Sequence, residues 1–170
     1  GAVFTSNNAL AEKIKSLRVH GQIQPYTHKH IGLSARLDNL QAAVLLIKLK
    51  SYNETINMRQ AAAERYQRML NNIIETPVVK SYNTSVWAQY SIKIPSRDMI
   101  KSKLKEFGIP TAVYYPKPLH LQKCFEYLGY KTGDFPVSEK TAKEIISLPI
   151  NPYITEVEQE FIVEELKKCL

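Results

Sequence analysis

Hydrophobic positions along the chain fall into stretches of two periods, and the longest is helical. From Leu37 to Leu49 nine of 13 residues are apolar, and positions 39–47 carry no charge. Leu37, Leu40, Ala43, Val44 and Ile47 form one stripe, while Ala42, Leu45, Leu46 and Leu49 cover the opposite side. A helix that is apolar nearly all round needs cover on both faces. The pattern opens at Ser34 or Asp38 and continues, now half polar, through Ile56, Ala63, Tyr66, Met69 and Leu70. No Pro or Gly falls between 33 and 76, so one helix of about 50 Å is predicted. Its first half is expected between domains or subunits, and its second half on a surface.

The flanking segments alternate in type. Ala2–Thr5 predicts a short buried strand, and Ser6, Asn7 and Asn8 offer N-caps for a helix carrying Leu10, Ile14 and Leu17. Residues 21–35, with Gly21, Pro25 and Gly32, predict a loop of the length that serves function or an interface. Val86–Ile94 alternates as a half-buried strand, and a helix with Ile100, Leu104 and Phe107 follows, stopped by Gly108. Thr111–Tyr115 predicts a second strand ended by Pro116 and Pro118, then short helices at Leu121–Leu128 and Pro136–Ile146. Ser147–Ile150 predicts a third strand, and Thr155 with Glu158 forms a capping box before the last helix. Residues 80–170 therefore predict an α+β domain with a small sheet.

Composition narrows the class. The 170 residues are 44% hydrophobic and 23% charged, which is ordinary globular usage and excludes a disordered or collagen-like chain. No apolar run is long enough to span a membrane, and no basic region precedes an apolar one as in a signal peptide. Cys124 and Cys169 stand far apart, without metal-ligand spacing, which fits a reducing compartment. The net charge of +7 is carried by 17 Lys and 6 Arg scattered beside acids, with no run of five and no basic stripe interleaved with the 10 Tyr. Nucleic acid is not the expected partner, although a basic α/β module remains a competing reading.

Candidate chemistry gathers at two places. Ser34 and Arg36 stand at the predicted start of the most apolar helix, where free N–H groups and the helix dipole favour an anion. The competing reading pairs Arg36 with Asp38 or another nearby acid. Tyr114, Tyr115, Lys117 and His120 share a Pro-stiffened exit from a predicted strand, suited to ligand contact. Here the competing reading is a core Tyr pair and a surface His. His28 and His30 lack a third ligand nearby, so a metal site is not expected.

Several segments, taken in order, resemble one family. They are Gly1–Thr5, His20-Gly21, His28-x-x-Ile31-Gly32 through Arg36-Leu37-Asp38-x-Leu40-Gln41-Ala42-Ala43, and Gly108-Ile109-Pro110-Thr111. Tyr115-Pro116-x-Pro118-Leu119-His120, Gly133-Asp134-Phe135-Pro136 with Glu139, and Ser147-Leu148-Pro149 with Pro152 continue the series. Together they resemble the pyridoxal-phosphate-dependent sugar aminotransferases of the DegT type. His20-Gly21-Gln22 and Thr111-Ala112-Val113 are most similar to members that aminate a UDP-linked 3-oxo sugar acid.

The resemblance implies the small C-terminal α+β domain of the aspartate-aminotransferase fold, with a small mainly antiparallel sheet. Residues 1–35 would be the tail of the large cofactor-binding domain and a cross-subunit loop, 36–75 a long bridging helix, and 76–170 the small domain. It places the Schiff-base lysine ahead of this chain, so none of the 17 Lys is assigned that role and the chain alone is expected to be inactive. Pyridoxal phosphate would serve the complete enzyme without covalent attachment here. Ser34 stands where the family commonly has an Asn on the cofactor phosphate, and Arg36 where an arginine meets the sugar nucleotide. Tyr115 and His120 match substrate-facing positions, and Tyr114 replaces a frequent His. Expected partners are a nucleotide sugar, an amino donor, and either a second copy or an N-terminal half, in the cytoplasm. The alternative is a non-catalytic remnant that serves as an oligomerisation or interaction domain.

Overall fold

The computed structural model describes residues 2–170. They divide into two units, residues 1–51 and 52–170; Gly1, which opens the resembling segment Gly1–Thr5, lies outside the described residues.

In the first unit, helix α1 (Asn8–Leu17) starts as the sequence predicts, because the Asn7 side chain accepts the Leu10 N–H at 3.0 Å. Ala2–Thr5 is not a strand. Nothing among the described residues pairs with it, and without a ladder Val3 and Phe4 stay exposed. The predicted loop instead folds into a hairpin of β1 (Gln22–Gln24) and β2 (Thr27–His28), turned at Pro25-Tyr26. Tyr26 adopts positive φ, an unusual state for a bulky side chain, which is why the turn was not legible. Gly21, at φ +71°, and Gly32 close the base of the hairpin: a Cβ at Gly21 would strike the His30 carbonyl, and one at Gly32 the Gly21 nitrogen.

Helix α2 (Asn39–Lys50) carries the all-round apolar pattern, yet none of its residues is buried. Leu40 is 84% exposed and Ile47 68%. The expectation of cover on both faces is met by nothing among the described residues. The predicted continuous helix is also interrupted, at Ser51, where the Ser hydroxyl donates to the Lys48 carbonyl and offers the backbone an alternative partner.

The second unit holds the hydrophobic core. Helix α3 (Tyr52–Leu70) buries Ala62, Ala63, Tyr66 and Leu70, so the expectation that this stretch lies on a surface is incomplete. Strand β3 (Tyr90–Lys93) pairs antiparallel with β4 (Ile145–Leu148), Tyr90 opposite Leu148 and Ile92 opposite Ile146. Tyr90 stacks on Tyr66 at 5.0 Å and on Trp87 at 5.5 Å. Helices α4 (Arg97–Glu106), α5 (Pro136–Glu144) and α6 (Glu156–Cys169) complete the unit. The capping box at α6 is formed: Thr155 accepts the Glu158 N–H at 3.2 Å, and Glu158 accepts the Thr155 N–H at 2.8 Å.

The predicted second strand at Thr111–Tyr115 shrinks to one bridge, in which Ala112 and Ser147 exchange N–H···O bonds of 3.2 and 2.8 Å. The chain then leaves the sheet for Tyr114 and Pro116, and Pro has no N–H with which to continue a ladder. The short helices beyond it are 3₁₀ turns at Leu119–Leu121 and Lys123–Leu128. The mixed helical fold with small antiparallel sheets is the α+β class expected from the sequence.

Candidate functional site

The candidate residues fall into two groups, one in each unit. In the first, the end of α1 and the segment at 33–35 run together: the Leu33 N–H donates to the Leu17 carbonyl at 2.8 Å, and the Ala35 N–H to the Arg18 carbonyl at 2.9 Å. These bonds, with the bridge between Val19 and Ser34, hold Ser34 and point the chain toward α2. Both Ser34 and Arg36 are exposed. Arg36 lies two residues ahead of the Asp38 N-cap rather than in the first helical turn. Among the described residues its guanidinium forms no ion pair and no side-chain hydrogen bond, so the competing reading of a pair with Asp38 or another nearby acid fails. With Lys15, Arg18, Phe4 and Leu37 it borders an open cleft of about 1250 Å³. Lys15 is paired with Glu12 at 2.7 Å, but an apolar floor beside Arg18 and Arg36, which have no ion pair among the described residues, suits an anion attached to a larger, less polar body.

In the second unit, Tyr114 and Tyr115 are exposed, 41% and 73%, with rings edge to face at 5.7 Å. They border a cleft of about 490 Å³ with Lys117, Leu119, Ser138 and Thr141. Pro116 and Pro118 stiffen this border, so few torsions are left to freeze on binding. The competing reading is reversed: the phenols face solvent and the imidazole is sheltered. His120 is only 8% exposed at its side chain and shares a 3.1 Å hydrogen bond with Glu139.

Glu139 was part of the resembling segment but received no role from the sequence. Its carboxylate accepts the Gly133 N–H at 2.8 Å, and this bond, followed by the contact with His120, holds its carboxyl below the usual carboxylate range. The signal in the sequence is the spacing Gly133-x-x-Pro136-x-x-Glu139, which sets an acid in the first turns of a Pro-initiated helix facing its own lead-in loop.

A lysine that condenses with a carbonyl must shed its proton, which burial promotes. Sixteen of the 17 lysines here are exposed, and the half-buried Lys93 is paired with Glu75 at 2.6 Å. Among the described residues no lysine is desolvated. The exposed hydroxyl of Ser34, without a protein partner among the described residues, fits a phosphate oxygen.

Comparisons with known proteins bear on both groups. The model of the DegT/DnrJ/EryC1/StrS aminotransferase family matches residues 1–167. A pleiotropic regulatory protein of Geobacillus stearothermophilus is 41% identical over 170 residues, covering 98% of this chain and 46% of that protein. A UDP-2-acetamido-2-deoxy-3-oxo-D-glucuronate aminotransferase of Pseudomonas aeruginosa is 40% identical over 155 residues, 91% of this chain and 42% of the relative. Among solved structures, S. venezuelae DesV in complex with a ketimine intermediate superposes with a TM-score of 0.89 at 31% identity, covering 96% of this chain and 45% of that one. The chain spans about half the length of the curated relatives it matches.

Proposed function

This chain belongs to the DegT/DnrJ/EryC1/StrS aminotransferase family, and from that premise we propose that it is the C-terminal part of an enzyme that transfers an amino group to a nucleotide-linked keto sugar. The relatives' names support nucleotide-sugar chemistry, and the 40% identity to an enzyme of a UDP-linked 3-oxo sugar acid supports that substrate class. Pyridoxal phosphate, when bound in the complete enzyme, supplies the electron sink that amino transfer requires. The chain's own contribution is binding and orientation. The unpaired guanidinium of Arg36 holds an anionic group of the nucleotide sugar, and the Ser34 hydroxyl donates to the cofactor phosphate. Tyr114, Tyr115 and His120 orient the sugar.

The observation that carries this reading is the pairing of exposed, uncommitted polar groups at the family's motif positions with an absence of any desolvated lysine among the described residues. Alone, the chain binds anion and sugar without transaminating. The exposed apolar surface of α2 supports association with a second copy. The test is Arg36→Ala in the complete enzyme: sugar-nucleotide affinity falls about tenfold or more while cofactor loading, read from absorbance, is unchanged. Unchanged affinity refutes the role of Arg36, and amino transfer by this chain alone, supplied with pyridoxal phosphate and an amino donor, refutes its inactivity.

A further inference from the structure

One polar cluster in the second unit has a geometry that the roles above leave unused. Three contacts converge on a single oxygen of Glu139, the fourth residue of α5. Its Oε1 lies 2.8 Å from the Gly133 nitrogen, 3.4 Å from the Phe135 nitrogen and 3.1 Å from His120 Nε2. The two side chains are sheltered together, at 8% and 11% exposure. Phe135 packs on the His120 ring at 4.8 Å, and Tyr130 meets Phe135 edge-on at 5.1 Å. The imidazole is thus held on one face by an aromatic ring and at one nitrogen by a carboxylate.

An ionised carboxylate can only accept hydrogen bonds, so Nε2 must carry the hydrogen. The Gly133 N–H holds Glu139 below the usual carboxylate range, which makes the ionised form the one present near neutrality. In the neutral ring the other nitrogen, Nδ1, then bears a lone pair, and it has no protein partner among the described residues. We infer that Glu139 is a positioning residue that locks His120 as its Nε2–H tautomer and leaves Nδ1 to accept a hydrogen bond from a sugar hydroxyl. The inference rests on the reading in which His120 faces the sugar. It adds a direction to that contact: His120 accepts, and the ligand donates. A donor is what a sugar ring supplies at its hydroxyl positions, so the same geometry disfavours a ligand that offers only acceptors there.

Because every contact uses Oε1, Glu139→Gln keeps the acceptor and removes the charge, whereas Glu139→Ala removes both. Long-range ¹H–¹⁵N spectra of the whole chain, with the ring assigned by loss of its signals in His120→Gln, read the tautomer directly. The expected result is Nε2–H in the wild type and in Glu139→Gln, with slow exchange of the Gly133 amide in both. Glu139→Ala populates the Nδ1–H form and speeds that exchange. A wild-type ring protonated at Nδ1, or an unchanged tautomer in Glu139→Ala, overturns the inference.

Titration with UDP-glucuronate supplies the second arm. Glu139→Ala weakens binding about tenfold and Glu139→Gln about threefold or less, as loss of a positioned hydrogen bond predicts. Binding that is equal in all three proteins overturns the positioning role alone. Failure of the wild type to bind the probe overturns the functional reading itself, together with the substrate half of this inference.

Discussion

The exposed face of α2 makes a quantitative prediction. Leu40, Val44 and Ile47 share one stripe of the helix and are 84%, 53% and 68% exposed, and Leu37, just ahead of the Asp38 N-cap, adds a fourth apolar side chain at 52%. Covering such a stripe is worth about 5 kcal/mol per helix, at roughly 2 kcal/mol for a fully buried aliphatic side chain. Two copies that meet through this stripe gain about 10 kcal/mol. Association itself costs at least about 4 kcal/mol in lost freedom. The remainder, about 6 kcal/mol, corresponds to a dissociation constant of tens of micromolar. Sedimentation velocity from about 5 to 300 µM therefore crosses from monomer to dimer. Leu40→Glu with Ile47→Glu removes more than half of the gain and places carboxylates in the seam, so that protein stays monomeric throughout. A wild type that remains monomeric at the highest concentration, or a double variant that associates equally, refutes the reasoning.

Four further outcomes follow from the second unit and its neighbour. Tyr66, fully buried, donates its hydroxyl to the Pro149 carbonyl at 2.8 Å. Tyr66→Phe orphans that carbonyl and costs about 1 kcal/mol, lowering the melting temperature by about 3 °C in a thermal scan. Glu158, held below the usual carboxylate range by the Thr155 N–H and then by the Thr155 hydroxyl, contributes stability above its unfolded pKa that is lost as pH falls through its folded value. Urea melts between about pH 5 and 3 should decline less steeply in Glu158→Gln, and parallel slopes would contradict the assignment. Burial pushes the Tyr90 phenol up to about 12 from an ordinary 10.0, so its stabilisation is complete below pH 10 and is lost as pH rises through the folded value. Phenolate absorbance near 295 nm should then appear together with unfolding. Native-state hydrogen exchange at dilute concentration should protect α3, β3, β4 and α6 while the amides of α2 exchange fast, because the buried side chains lie in the second unit.

What was legible in the sequence follows from the range over which each signal acts. The α1 and α6 starts were readable because Asn7 and the Thr155–Glu158 pair satisfy backbone groups within three residues of themselves. The strand at 90–93 was readable from the alternation over 86–94, though trimmed, since a strand lasts only as long as a partner lies opposite. The strand at 145–148 starts two residues ahead of the expected 147–150 and takes Ile145 and Ile146 from the expected helix, because they pair with Lys93 and Ile92. Thr111–Tyr115 had β-forming residues but found one partner, Ser147, and kept a single bridge. The hairpin at 22–28 was hidden because its turn uses Tyr26 at positive φ instead of the Asn-Gly or Asp-Gly pair that marks such turns. For the candidate site, residue types pointed to Arg36, Tyr114, Tyr115 and His120, but not to which would be sheltered. That was decided by Glu139, whose three contacts span up to 19 residues and leave no periodic trace. An exposed guanidinium and exposed phenols are groups whose hydrogen bonds are still to be made. A sheltered imidazole held by a carboxylate has made one of its two, and so carries a direction the others lack.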